Sequence, residues 1–182
     1  STRGARYALQ ANAAHLETKS QKRYLNHGLK EHEILEEFQK KCPFFFKLPE
    51  HIQSILEYAF TEMVNNAIDH SRSKNIDVHL EKDGKIIRFI IYDFGIGVFN
   101  NIMSKRKLNS ELEAIQDLLK GKTTTQPHAH SGEGIFFTSK VADVFILDSF
   151  DYQLINDNTV QDIFISELKP RKKGTRVIVE LR

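Results

Sequence analysis

The chain holds a single cysteine, Cys42, among 182 residues. That excludes a disulfide framework and fits a reducing compartment, so a cytoplasmic location is expected. No apolar run approaches the roughly 18 to 20 residues of a membrane span, and the start Ser1-Thr2-Arg3-Gly4-Ala5 lacks the apolar core of a signal peptide. The formal net charge of only +2 creates no global field toward nucleic acid or a membrane surface, and neither is expected as a partner. No internal repeat is present. The first residue is not Met, which points to a piece of a longer protein. The 40% apolar content suffices for one core, so one domain with appendages is expected.

Residues 1–26 are polar and basic, with Arg3, Arg6, Lys19, Lys22 and Arg23, and read as a linker or the remnant of an upstream domain. Leu29, Ile34, Leu35 and Phe38 recur at near-helical spacing and predict an amphipathic helix up to Lys41, which Cys42-Pro43 ends. Phe44-Phe45-Phe46 reads as core or an interface anchor. A long helix is predicted over 48–71, its apolar stripe running from Ile52 through Ala59, Met63 and Ala67. A second, polar stripe carries Glu62, Asn66, Asp69 and His70 at offsets of four, seven and eight.

The period then changes to two. Ile76 to Leu80 alternates, Asp83-Gly84 signals a type I′ turn, and Lys85 to Tyr92 continues as a strand. That strand ends in Asp93-Phe94-Gly95-Ile96-Gly97. A helix is predicted over 111–120, followed by the basic, hydroxyl-rich stretch Gly121 to Ser131 with Thr123, Thr124, Thr125, His128 and His130. Ser131-Gly132-Glu133-Gly134-Ile135 opens another helix, whose free N–H groups suit a phosphate. Three strand-like runs close the chain, Val144 to Phe150, Val160 to Leu168 and Thr175 to Leu181, with turns at 156–158 and 172–174.

The chemistry lies in the polar stripe and the glycines. Asn66 can offer a hard oxygen to Mg²⁺, which keeps most of its water and takes one or two protein oxygens. Glu62, one turn earlier, is placed to orient or deprotonate a water or hydroxyl. Taken alone, the stripe reads equally as a solvated helix face, Asp93 to Gly97 as a turn, and Gly132 with Gly134 as a helix start. Lys120 and Lys122 are point charges within reach of a phosphate or are simply solvated.

Taken together, in this order, these boxes resemble the GHKL superfamily of ATP-binding domains, the Bergerat fold shared by type II topoisomerases, mismatch-repair ATPases, sensor histidine kinases and anti-sigma-factor serine kinases. The resemblance covers about residues 48–181. It implies an α/β two-layer sandwich, a mixed or mostly antiparallel sheet with helices on one face, within a domain over 27–182 and with an ATP lid at about 98–131. It implies ATP and Mg²⁺ as ligands, with Glu62 as general base and Asn66 as the metal ligand. Asp69 belongs to the same box. Asp93 would accept a hydrogen bond from the adenine amine, which selects ATP over GTP. Gly95 and Gly97 would let the backbone approach the base. Lys122, Thr123, Thr124, Ser131, Gly132, Glu133, Gly134 and Ile135 would surround the phosphates, and Thr175 would lie near the adenine.

The departures from the family pattern narrow the reading. Glu62 stands where histidine kinases usually lack a glutamate, and no phosphoacceptor helical pair precedes the domain. Phe136 follows Ile135 where a third glycine is common, which anti-sigma-type serine kinases tolerate. The chain also looks like the ATP-binding domain of bacterial regulatory proteins that carry an upstream winged helix; Arg3 to Leu9 looks like the last strand of such a domain, or is a basic arm. Two functions follow from the resemblance. One is an ATPase or serine/threonine kinase acting in a signalling pathway with a protein partner. The other is a nucleotide-gated interaction module with little turnover. Homodimerisation stays open.

Overall fold

The computed structural model describes residues 18–121 and 133–182. Its elements, in chain order, are β1 (Lys19–Leu25), α1 (Glu31–Lys41), α2 (Glu50–His70), β2 (Asn75–Asp83), β3 (Ile86–Asp93), α3 (Val98–Arg106), α4 (Glu111–Leu119), α5 (Glu133–Val141), β4 (Val144–Asp157) and β5 (Asp162–Leu181). The strands form one sheet in the order β1-β2-β3-β5-β4, with every pairing antiparallel. This is the expected α/β two-layer fold.

The core lies between the sheet and the helices. Strand alternation sends Ile76, Val78 and Leu80 of β2, and Ile87, Phe89 and Ile91 of β3, to the helical side, where all are buried. α2 meets them with Leu56, Ala59, Phe60, Met63 and Val64. Three aromatic rings connect the layers, Phe38 of α1 to Phe60 of α2 at 5.7 Å between centroids, and Phe60 to Phe89 of β3 at 5.5 Å. In the Phe triple, Phe45 is fully buried and Phe46 is exposed. The other face of the sheet carries a cross-strand charge ladder. Arg88 donates to Glu81 at 2.9 Å and to Glu180 at 2.8 Å, and Arg23 grips Asp77 through both carboxylate oxygens.

Four segments differ from the sequence reading. Lys19–Leu25, read there as part of a basic lead, is an edge strand paired with β2 from Lys19↔Glu81 to Leu25↔Asn75. Only Tyr24 of that strand is buried, so a polar edge hid the alternation. The β2–β3 loop is Gly84-Lys85, closed by the pair Asp83↔Ile86. Gly84 takes φ 57° and Lys85 no positive φ, the pattern of a type II′ turn in place of type I′.

Within the stretch assigned to a lid, the helix expected over 111–120 is α4, and a further helix, α3, precedes it; their Phe99, Ile102, Ala114, Ile115 and Leu118 are buried. An Arg106–Asp117 ion pair joins the two helices, and Ser110 caps α4 by accepting from the Glu113 N–H at 3.2 Å. The three closing strands are two long ones. The hairpin shifts register twice, between Ser149 and Tyr152, and so bends where turns at 172–174 were expected.

The bent hairpin brings its tip back to the end of α5. Asn156 donates its side-chain amide to the Ser139 carbonyl at 2.6 Å, and Asn158 donates to Ser139 at 2.8 Å and Ala142 at 2.7 Å. These amides satisfy carbonyls that a helix end otherwise leaves open. Beyond the bend, β5 has no strand on its outer side among the described residues, and Ile163, Phe164 and Ile165 are exposed there. Asn158→Ala removes two of the three side-chain hydrogen bonds at the end of α5. It should lower stability by about 1 to 2 kcal/mol, read as a denaturant midpoint shift at unchanged slope, whereas Thr159→Ala beside it should cost far less.

Candidate functional site

A cleft enclosing about 480 Å³, its open mouth included, lies between α2, the end of β3, α3 and the start of α5. Met63, Ala67, Ile91, Ile102, Ile135 and Val177 form its apolar walls, and Asn66, His70, Asp93, Asn101 and Thr175 supply the polar groups. An apolar slot with a few convergent polar groups is what a flat heterocycle with an amine edge requires.

Asp93 closes the inner end. It is 4% exposed, and its Oδ1 accepts from the Gly95 N–H at 2.9 Å and the Thr175 N–H at 3.3 Å. Burial pushes its carboxyl up to about 6, while those N–H donors and the Thr175 hydroxyl pull the other way. No Lys, Arg or His among the described residues pairs with it. At neutral pH it is therefore a buried carboxylate served only by neutral donors, suited to one more N–H.

The loop after Asp93 is held by the end of α2. Ile96 donates to the Ser71 carbonyl at 2.8 Å. Phe94 donates to the Ser73 hydroxyl at 3.0 Å, and Ser73 donates its backbone N–H to the Ser71 hydroxyl at 2.9 Å. A Cβ at Gly95 would come within 1.8 Å of the Ser71 carbonyl oxygen, so only glycine fits there. Gly97 faces the Phe150 ring and the Ser149 hydroxyl, where a Cβ would lie 2.5 to 2.6 Å away. These two glycines, expected to make room for the base, make room for the protein's own neighbours. Gly174, at φ 81°, packs on the backbone of Asp93, with a Cβ there 2.1 Å from its carbonyl oxygen. Thr175 follows, half in the cleft, its hydroxyl accepting from the Val98 N–H at 2.9 Å and tying β5 to the start of α3.

The outer end of the cleft is acidic. Glu62 lies one turn before Asn66 on α2, and its Oε2 sits over Gly134, where a Cβ would be 2.0 Å away. Gly134 thus lets the start of α5 close on the Glu62 carboxylate. Burial and the Glu62 and Glu133 carboxylates raise the nearby Tyr58 hydroxyl. Burial and Lys105 together hold His70 below its ordinary value, with Asp69 opposing.

The structure brings Asn66, Asp93, Ile135 and Thr175 to the cleft and Glu62, Glu133 and Gly134 to its rim. Asp69 is exposed and does not line it. At about 100° per residue Asp69 falls roughly 140° away from the middle of the Met63–Ala67 line that faces the cleft. Lys122, Thr123, Thr124, Thr125, His128, His130, Ser131 and Gly132 lie outside the described residues. Sequence reasoning missed Val98, Asn101 and Ile102, because the polar positions of α3 hide its helical period. It also missed Ser71 and Ser73, two serines bracketing an arginine with no distinguishing pattern.

The two-layer fold, with an apolar cleft that ends on a buried aspartate, is consistent with an ATP-binding domain of the GHKL type. A family model for the histidine kinase-like ATPase domain matches residues 30–158, most of the chain, and the chain belongs to that family. The match begins after β1 and ends before β5, so the contacts of Gly174 and Thr175 rest on the structure alone. No curated protein matches the chain. No helix among the described residues is long and apolar enough to cross a membrane.

The raised Asp93 carboxyl makes a signed prediction. Its folded value of about 6 exceeds the ordinary 3.8, so the folded state holds the proton more tightly than the unfolded one. Its contribution is full below about pH 4 and is lost as pH rises through about 6. Asp93→Asn keeps the acceptor oxygen without the charge. The stability of the native chain minus that of this variant should therefore fall by about 2 to 3 kcal/mol between pH 4 and pH 7. Denaturant midpoints across that range check it, and a flat difference would refute the raised value.

Proposed function

We propose that the domain binds Mg·ATP and either hydrolyses it or transfers its γ-phosphoryl group to a serine or threonine of a protein partner, within a cytoplasmic regulatory protein of bacterial type. One observation carries this reading: Glu62 stands one turn from Asn66 at the mouth of the cleft that Asp93 closes at its other end.

Each residue has a role that its position supports. Asp93 accepts the exocyclic amine of adenine, a contact that the carbonyl of guanine cannot make. The apolar walls hold the ring plane and exclude water. Glu62 takes the proton from the attacking water or hydroxyl as that oxygen bonds to the γ-phosphorus and the bond to the β-phosphate bridge breaks, leaving ADP.

The residues present fit a magnesium ion. The Asn66 side chain faces the cleft with no hydrogen-bond partner among the described residues, and no group of three His, Cys, Asp or Glu there could hold a metal unaided. A Mg²⁺ would be shared between the Asn66 oxygen, water and the nucleotide's phosphates, and would supply neutralisation of phosphate charge. The family match and the rim glutamate favour the enzyme over a non-hydrolysing switch.

Calorimetric titration with ATP, ADP and GTP, with and without Mg²⁺, should show adenine selectivity that Asp93→Ala abolishes. Glu62→Gln should leave ATP affinity within about twofold while lowering turnover by about a hundredfold or more. Turnover retained in that variant would remove Glu62 as the base, and a wild-type chain that binds ATP without turnover would establish the nucleotide-gated module. Asn66→Ala should erase the difference between titrations with and without Mg²⁺.

A further inference from the structure

Strand alternation sends Asp93 to the cleft and its neighbours Tyr92 and Phe94 toward the open face of the sheet. Their ring centroids lie 4.3 Å apart. Arg23 reaches over the Phe94 ring at 5.2 Å and Lys172 over the Tyr92 ring at 5.5 Å. The Tyr92 hydroxyl donates to the Lys173 carbonyl at 3.1 Å, fixing the strand that carries both lysines. From this aromatic floor opens a groove enclosing about 750 Å³, its mouth included, lined by Arg23, Arg72, Lys74, Phe94 and Lys173 together with Ser73 and Asn75. A second trough shares Arg23 and adds Arg176.

Positive charge here is not neutralised from within. Asp77 is committed to Arg23 at 2.6 and 2.7 Å. Asp148 is fully buried and occupied by Arg176 and Gln153. Arg72, Lys74 and Lys173 are exposed and have no carboxylate partner among the described residues. Burial and the neighbouring Arg176 lower Lys172, with Asp148 opposing, as expected where like charges crowd. The chain's net charge is only +2, so this corner concentrates a surplus that the rest of the surface lacks.

The patch also has an end. Further along the same face, Arg88 is bracketed by Glu81 and Glu180, and His79 lies 3.2 Å from Glu81. A phosphodiester backbone needs a longer unbroken track of cations. It also gains from bare ring faces for its bases, and here Arg23 and Lys172 already cover them. The length, charge and floor suit a short stretch of carboxylates.

We propose that this corner docks a short, extended, acidic segment of a protein partner, its Asp and Glu side chains meeting Arg72, Lys74 and Lys173 across the Tyr92–Phe94 floor. The proposal is independent of the nucleotide chemistry, because its cations lie on the face away from the cleft. The test uses a fluorescein-labelled peptide of roughly a dozen residues, mostly Asp and Glu, read by anisotropy at low salt, with ADP calorimetry reporting on the fold. Lys74→Glu with Lys173→Glu should weaken the peptide by about tenfold or more and leave ADP binding unchanged. Lys40→Glu with Lys85→Glu, the same change of charge elsewhere, should leave peptide affinity within about twofold. No binding of the peptide, or equal weakening by the two pairs, overturns the proposal. A labelled single-stranded oligonucleotide of equal charge that binds more tightly, and is lost in the first pair, makes the corner a nucleic-acid surface and overturns it equally.

Discussion

The carbonyl of Ser71 is the point on which the site turns. It ends α2, accepts the Ile96 N–H at 2.8 Å, and approaches so near to Gly95 that no side chain fits between them. One backbone contact thus fixes the distance between the helix that carries Glu62 and Asn66 and the strand that ends in Asp93. Gly174 presses on the other side of the same strand end, against the Asp93 carbonyl. Asp93 is therefore clamped by backbone on two sides, and its side chain needs no partner of opposite charge to hold its direction. That arrangement leaves a buried carboxylate oriented and under-solvated, the state in which one added donor has the largest effect.

The cleft is polarised along its length. Its inner half is lined by Ile91, Ile102, Ile135 and Val177, and its mouth gathers Asn66, His70 and the rim carboxylates. A nucleotide is polarised the same way, with a flat, weakly polar base at one end and charge at the other. The mouth gathers carboxylates as well as donors, so a phosphate chain there gains from a countercharge that Asn66 cannot supply alone.

What could be read from the sequence follows the length and strength of each pattern. α2 was legible because its 21 residues carry two stripes over several turns, and β2 with β3 because Ile, Val and Phe alternate around a glycine turn. The order of their boxes pointed to Glu62, Asn66, Asp93 and Thr175, which the fold gathers at one cleft and its rim. α3 escaped because Asn100, Asn101 and Ser104 interrupt its apolar positions, whereas α4, of the same nine residues, keeps Leu112, Ile115 and Leu119 in helical step. β1 escaped because an edge strand needs only one buried residue, here Tyr24. Asp69 shares the Glu62 side of α2, and an offset of seven fixes which residues share a face without saying which face turns inward. The bend of β4 and β5 depends on two register shifts, a property of the pair that neither strand shows alone.

The outer edge of β5 past the bend bears on handling the protein. Ile163, Phe164 and Ile165 stand exposed in sequence on a strand whose outer edge carries no partner among the described residues. Such a segment is a template on which further strands add by backbone hydrogen bonds. Asp162 and Glu167 bracket it, acting as gatekeepers whose mutual repulsion discourages stacking. Protection of this edge against pairing with another copy thus rests on two side chains remote from the cleft.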